Sequence, residues 1–201
     1  MSVFQNAQFE ISVAQVQQLP PDSGVELVFA GRSNAGKSSA INTLTRHNRL
    51  AFVSKTPGRT QLINFFRLRN GAALVDLPGY GYAQVPEHIR RQWVGLLEQY
   101  LKTRQSIVGM VLMMDCRHPL KQLDIQMIEW FAPRGLPIHV LLTKSDKLTR
   151  GVAAQVLINV KKALTVYGAQ VSVQLFSSLA KSGTEEVEQV VGAWLAQPVQ
   201  D

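Results

Sequence analysis

Residues 25–38 read VELVFAGRSNAGKS: six residues of unbroken strand character, then a glycine-rich loop ending in Lys-Ser. Continuous rather than alternating hydrophobicity predicts a strand covered on both faces, as in a parallel sheet. GRSNAGKS (31–38) fits Gly-x-x-x-x-Gly-Lys-Ser, and the pattern over 37–46 predicts a helix directly after it. Strand, glycine loop and helix N-terminus in that order make a phosphate cradle. The glycines let backbone N–H groups wrap an anion, and the helix terminus adds partial positive charge. Gly31, Arg32, Ser33, Asn34, Ala35, Gly36, Lys37, Ser38 and Ser39 are expected to line it. Lys37 can reach the β- and γ-phosphates, and the Ser38 hydroxyl can ligate Mg²⁺.

Outward from this unit, strand-like runs recur at AALVDL (72–77), VGMVLMMD (108–115), IHVLLT (138–143) and VSVQLFSS (171–178). Helical patterns lie between and after them at 86–104, 123–131, 152–167 and 184–196. LINFFRLRN (62–70) precedes AALVDL with Asn70-Gly71 between, which predicts a two-residue hairpin and an antiparallel pair. The fold class is therefore α/β: a three-layer P-loop NTPase of Ras-like type, mostly parallel, with one antiparallel edge strand. Residues 23–201 read as a single G domain behind an N-terminal extension, 1–22, that is either a short strand or a tail.

Apolar residues make up 46% of the chain and charged residues 17%, which excludes a disordered chain. The single cysteine, Cys116, excludes an internal disulfide framework. No signal peptide is expected from MSVFQNAQFE, and no apolar stretch approaches the roughly 18 residues of a membrane span. A cytoplasmic protein is expected. Net charge is +7, and no acidic residue occurs between Glu26 and Asp76. That interval carries Arg32, Lys37, Arg46, Arg49, Lys55, Arg59, Arg67 and Arg69. It suits a phosphate pocket, and equally a polyanion such as RNA outside the pocket.

Three further motifs sit at predicted strand ends. DLPG (76–79) places Asp76, Leu77, Pro78 and Gly79 beside the cradle: Asp76 to hold Mg²⁺ through water, Gly79 to offer its N–H to a γ-phosphate. TKSD (143–146) supplies Thr143, Lys144, Ser145 and Asp146. Asp146 can accept from N1–H and the 2-amino group of guanine, donors that adenine lacks. The Lys144 stem can lie along the base. Phe176, Ser177, Ser178 and Leu179 open the loop after the last strand, where backbone donors near Ser178 and Leu179 can meet the 6-oxo group. The ligand is then GTP or GDP.

The order GRSNAGKS, TPGRT, DLPG, TKSD and SSLAKSG resembles that of translation-factor-type, Era/TrmE-like GTPases. QLPPDSGVELVFAGRSNAGKSSAINTL, SKTPGRTQLINFF and LVDLPGYGYA more closely resemble the EngB (YihA/YsxC) family of ribosome-biogenesis GTP-binding proteins, over essentially the whole chain. The resemblance implies a small GTPase acting in assembly of the large ribosomal subunit. It also implies that Thr60, beside Gly58 and Arg59, is the switch-I threonine that joins Ser38 and Asp76 in the Mg²⁺ shell; Thr56 competes for that role.

Tyr80 stands where Ras-like proteins carry the glutamine that orients the attacking water, and Gln84 lies four residues beyond. A phenol of ordinary pKa is a poor base near neutrality, so slow hydrolysis is expected unless a partner or ion assists. Lys37, Asn34, Thr60 and Gly79 are the residues expected to carry it. GTPases without that glutamine often resemble one another in having Asn at the position of Asn34, where it helps hold K⁺; a role only in loop shape is the competing reading. The expected partner is the large ribosomal subunit or its rRNA, met by a monomer through Arg46, Arg49, Lys55, Arg59, Arg67, Arg69, Arg90 and Arg91. Tyr80 and Tyr82 either stack on bases or pack on the sheet. No membrane or DNA partner is expected. The alternatives are a P-loop kinase and a nucleotide-bound scaffold without hydrolysis.

Overall fold

The runs of β-branched and apolar residues form a sheet whose strands are buried on both faces, as at β2, where all six residues are buried. A computed structural model describes residues 3–51, 62–81 and 87–196, with only the backbone at 87–90, 92 and 93. In chain order the elements are β1 (Gln8–Val13), β2 (Glu26–Gly31), α1 (Lys37–Thr45), β3 (Ile63–Arg67), β4 (Ala73–Asp76), α2 (Glu87–Thr103), β5 (Ile107–Asp115), α3 (Gln122–Phe131), β6 (Ile138–Thr143), α4 (Arg150–Leu164), β7 (Val171–Leu175) and α5 (Thr184–Leu195). Sheet order is β1-β3-β4-β2-β5-β6-β7. β4, β2, β5, β6 and β7 run parallel. β3 is antiparallel to both β4 and β1. This is the mostly parallel α/β sheet expected, with an antiparallel pair at one edge.

Two apolar layers hold the helices on. Leu96, Leu97, Tyr100 and Leu101 of α2, Met127, Ile128 and Phe131 of α3, and Val160 and Leu164 of α4 cover one face. Ile41 and Leu44 of α1 and Val187, Val191 and Trp194 of α5 cover the other. Fully burying each such side chain contributes about 1.5–3 kcal/mol. Gly109 on β5 makes room for the α5 face: a Cβ there would lie 2.5 Å from the Trp194 ring. At the opposite end of the sheet from the glycine loop, buried Glu26 accepts from Tyr100 Oη at 2.7 Å and from Arg104 Nη2 at 2.5 Å. Arg104 also donates to the Pro20 and Pro21 carbonyls, tying residues 20–26 to the end of α2.

Two expectations need correction. β3 is not outermost: β1, from the stretch read as strand or tail, pairs along it from Gln8↔Arg67 to Val13↔Ile63. The turn after β3 is not a two-residue loop. Gly71 N–H donates to the Leu68 carbonyl at 3.0 Å and Leu68 N–H to Ala72 at 2.8 Å, with Gly71 at φ +87°. Asn70 is not at positive φ. A type I turn closed by a glycine bulge fits this pattern, where the mirror-image turn needs positive φ at both central residues.

Candidate functional site

β2 lies between β4 and β5, so the chain leaves it to opposite sides, and the crevice at that switch point opens over the C-terminal end of β2. There the 31–36 loop turns through two left-handed residues, Asn34 at φ +63° and Gly36 at φ +86°. Asn tolerates that region better than most residues, and Gly enters it freely. Gly36 is the N-cap of α1; no side chain caps that end, and its first turn holds no acidic residue. Its orphan N–H groups and the dipole therefore face the crevice with no carboxylate of the helix's own first turn to oppose them. Ser33 Oγ is buried there without a hydrogen-bond partner.

β4 delivers DLPG to the same place. Asp76 ends the strand nearly buried, and Lys37 Nζ from α1 pairs with its carboxylate. A buried carboxylate needs a counter-charge or strong hydrogen bonds, and Lys37 supplies both. Gly79 abuts the glycine loop: a Cβ there would come within 3.3 Å of Ser33 Cα. Leu77 and Tyr80 are buried. Pro78 is buried as well. The Tyr80 ring packs in the core beneath, and its hydroxyl donates to Asp124 at 3.1 Å. Burial, then the adjacent Asp124, push the Tyr80 phenol well above its ordinary pKa. It is neither a base nor free to stack on nucleic acid.

TKSD caps β6. Thr143 Oγ1 donates to the Ala35 carbonyl at 2.5 Å, joining this loop to the glycine loop. Lys144, at φ +59°, sends Nζ to the Asn34 carbonyl at 2.6 Å and to Asp115 Oδ2 at 2.9 Å. Asp115 ends β5, and Arg117 also grips it, at 2.9 and 2.7 Å. Burial alone would raise the Asp115 pKa, but the hydrogen bonds from Arg117 and Lys144 outweigh it and hold the carboxyl well below the usual range. Ser145 N–H donates to the Phe176 carbonyl at 3.2 Å. Ser177, fully buried, donates from Oγ to Asp146 Oδ1 at 2.6 Å and accepts from Ala180 N–H at 3.0 Å. That hydroxyl is the main reason the Asp146 pKa lies below its ordinary value. Ser178 is half-buried, and Leu179 is 77% exposed at the loop tip.

β7 supports this loop from below. Gln174 Nε2 donates to the Gly183 carbonyl at 2.8 Å, and its Oε1 meets His139 Nε2 at 2.7 Å. His139 Nε2 therefore carries the proton, and Nδ1 accepts from Ser172 Oγ at 2.7 Å. Burial lowers its pKa.

The structure thus gathers Gly31 to Ser39, Asp76 to Gly79, Thr143 to Asp146 and Phe176 to Leu179 at one sheet edge. Gly58, Arg59, Thr60, the competing Thr56, and Tyr82 and Gln84 lie outside the described residues. Arg32, named for the phosphate lining, instead donates to Asp124 and to the His118 carbonyl. Asp115 and Asp124 were not singled out from the sequence. Asp115 carried a signal, since it ends an apolar run as Asp76 does.

Residues 26–144, more than half of the chain, match the family model described as 50S ribosome-binding GTPase. A "Probable GTP-binding protein EngB" from Azoarcus sp. (strain BH72) is 71% identical over 196 residues, 97% of this chain and 94% of that one. Its namesake from Aromatoleum aromaticum (strain DSM 19018 / LMG 30748 / EbN1) is 66% identical over 201 residues, 100% of this chain and 93% of that one. A crystal structure of a probable GTP-binding protein engB superposes with TM-score 0.69 at 20% identity, over 85% of this chain and 98% of that one. At that identity the likeness shows the fold.

Proposed function

The chain belongs to the EngB family of GTP-binding P-loop GTPases, and we propose that it is a slow GTPase switch serving assembly of the large ribosomal subunit. The observation that carries slow turnover is Tyr80. The residue after Gly79 is buried, with its hydroxyl committed to Asp124, so it offers no group to orient a water. Lys37 would leave Asp76 for the β- and γ-phosphates, and the Gly79 N–H would meet the γ-phosphate. Asp146, held charged by Ser177, would read guanine, while Lys144 lies along the base.

The residues fit Mg²⁺ held together with a nucleotide. A serine hydroxyl at the start of α1 and a carboxylate at the end of β4 are hard oxygen donors, and Mg²⁺ commonly takes one or two protein oxygens alongside phosphate. Ser38 and Asp76 would hold it, with Thr60 as a third donor; bound there, the ion would neutralise phosphate charge. K⁺ beside Asn34 would add to that neutralisation.

The ribosomal role rests on the family description and on charge. Arg46, Arg49 and Arg69 are exposed around the antiparallel edge and the end of α1. The expected location is the cytoplasm; among the described residues no helix is long and apolar enough to cross a membrane.

Phosphate release from GTP, measured without partner in K⁺ and in Na⁺, tests the hydrolytic part. Turnover below about one per second is expected, and faster in K⁺. Tens per second without any partner would refute a slow switch, and equal rates in the two salts would remove the ion's role.

A further inference from the structure

α3 brings a carboxylate into this region that none of the roles above uses. Asp124, in the first turn of α3, has no exposed surface. Both its oxygens accept from Arg32 Nε at 3.2 Å, Oδ1 accepts from the Tyr80 hydroxyl at 3.1 Å, and Oδ2 accepts from Lys121 N–H at 3.1 Å. One buried group therefore joins the glycine loop, the residue after Gly79 and the start of α3. The backbone closes the same circuit. Ser33 N–H donates to the Tyr80 carbonyl at 2.7 Å, and Tyr80 N–H reaches the Gly31 carbonyl at 3.4 Å. Gly79 packs so closely on Ser33 that a Cβ would be tight. The Gly79–Tyr80 segment is pinned by backbone on one side and by Asp124 on the other.

We propose that Asp124 and the Tyr80 hydroxyl are positioning residues for the terminal phosphate: they hold the Gly79 N–H where a γ-phosphate meets it, favouring GTP over GDP. This deepens the GTP reading given above and rests on it. GDP engages the glycine loop and the base-binding loops, which the Tyr80 hydroxyl reaches only indirectly, through Asp124 and its bond to Arg32. Only a nucleotide with a third phosphate reaches Gly79. Fixing that segment in advance removes the ordering cost that GTP binding would otherwise carry. Losing the Tyr80 hydroxyl leaves the ring packed and leaves Asp124 its bonds from Arg32 and Lys121, so the change is confined to the anchor.

The test uses the full chain with Mg²⁺ and fluorescent forms of GDP and of a non-hydrolysable GTP analogue. Dissociation constants for both are measured on the unsubstituted protein, Tyr80→Phe and Asp124→Asn, with Tm alongside. Tyr80→Phe should weaken the analogue about three- to tenfold, the range of one lost hydrogen bond, and leave GDP within about twofold. Asp124→Asn, which keeps size but also weakens the hold on Arg32 of the glycine loop, should weaken the analogue at least as much as Tyr80→Phe, with a smaller loss for GDP. An unchanged analogue-to-GDP ratio in Tyr80→Phe overturns the proposal, whether both affinities fall together or neither moves. If Asp124→Asn does not fold, Tyr80→Phe decides. An unsubstituted protein that binds neither nucleotide overturns the GTP reading itself, and this proposal with it.

Discussion

A carboxylate that reads a base must be charged and correctly aimed, and Asp146 obtains both from Ser177. The 2.6 Å hydrogen bond to Oδ1 favours the ionised form and fixes the plane of the carboxylate. Oδ2 lies 3.6 Å from Lys147 Nζ, and on the reading proposed above the N1–H and 2-amino group of guanine would take that contact's place. Asp146→Asn replaces one acceptor by a donor, which opposes the 2-amino group and suits a 2-oxo group instead. GDP affinity should fall at least tenfold, the size of one mispaired polar group, while xanthosine diphosphate binds more tightly than to the unsubstituted protein. Titration with the two nucleotides checks this. At this scale the residues of GRSNAGKS, DLPG and TKSD were legible because each motif has a fixed chemical order. Asp124 was not. A carboxylate in a first helical turn ordinarily serves the helix dipole, and nothing local shows that Arg32 and Tyr80, far off in the chain, will bury it.

Elements carry the same logic through packing. β6 and β7 meet at His139, whose neutral ring links Ser172 to Gln174 and through it to the Gly183 carbonyl at the start of α5. Burial disfavours the charged ring, so its pKa is lower in the folded chain than in the unfolded one. The unfolded chain then binds more protons on acidification. Stability is fully present above the unfolded value near 6.5 and is lost as pH falls from there through the folded value. With saturating GDP, Tm should drop more between pH 7.5 and 5.5 in the unsubstituted protein than in His139→Gln, at roughly 2–4 °C for each kcal/mol lost. Equal drops would contradict it. The parallel strands and helices α1 to α5 were legible as elements, since long apolar runs and helical periods survive in one dimension. The β1 strand was not, because its Gln8, Phe9, Glu10 and Ile11 are all exposed at the sheet edge and bury no face that would set a pattern. The hairpin turn was misread for a related reason: Asn-Gly serves both turn geometries, and the register of β3 on β4 selects between them.

For the molecule as a whole, charge decides what can be met outside the pocket. Arg67 is partly spent on Glu10 of β1 at 2.7 Å and on the Gly71 carbonyl in the turn after β3 at 2.9 Å, so it offers a polyanion less than its sequence position implied. Arg46, Arg49 and Arg69 are exposed. Three phosphates neutralised by them would make affinity fall roughly twenty- to fortyfold between 50 and 200 mM salt. On the switch proposed above, GTP, and not GDP, makes the protein competent to bind the large ribosomal subunit. Co-sedimentation with purified large and small subunits, with a non-hydrolysable GTP analogue or with GDP at these two salt concentrations, tests it most directly. Binding to the large subunit with the analogue, weakened by salt and lost with GDP, is the expected result. Equal binding with both nucleotides would contradict the switch, and no binding with either would remove the ribosome as its target.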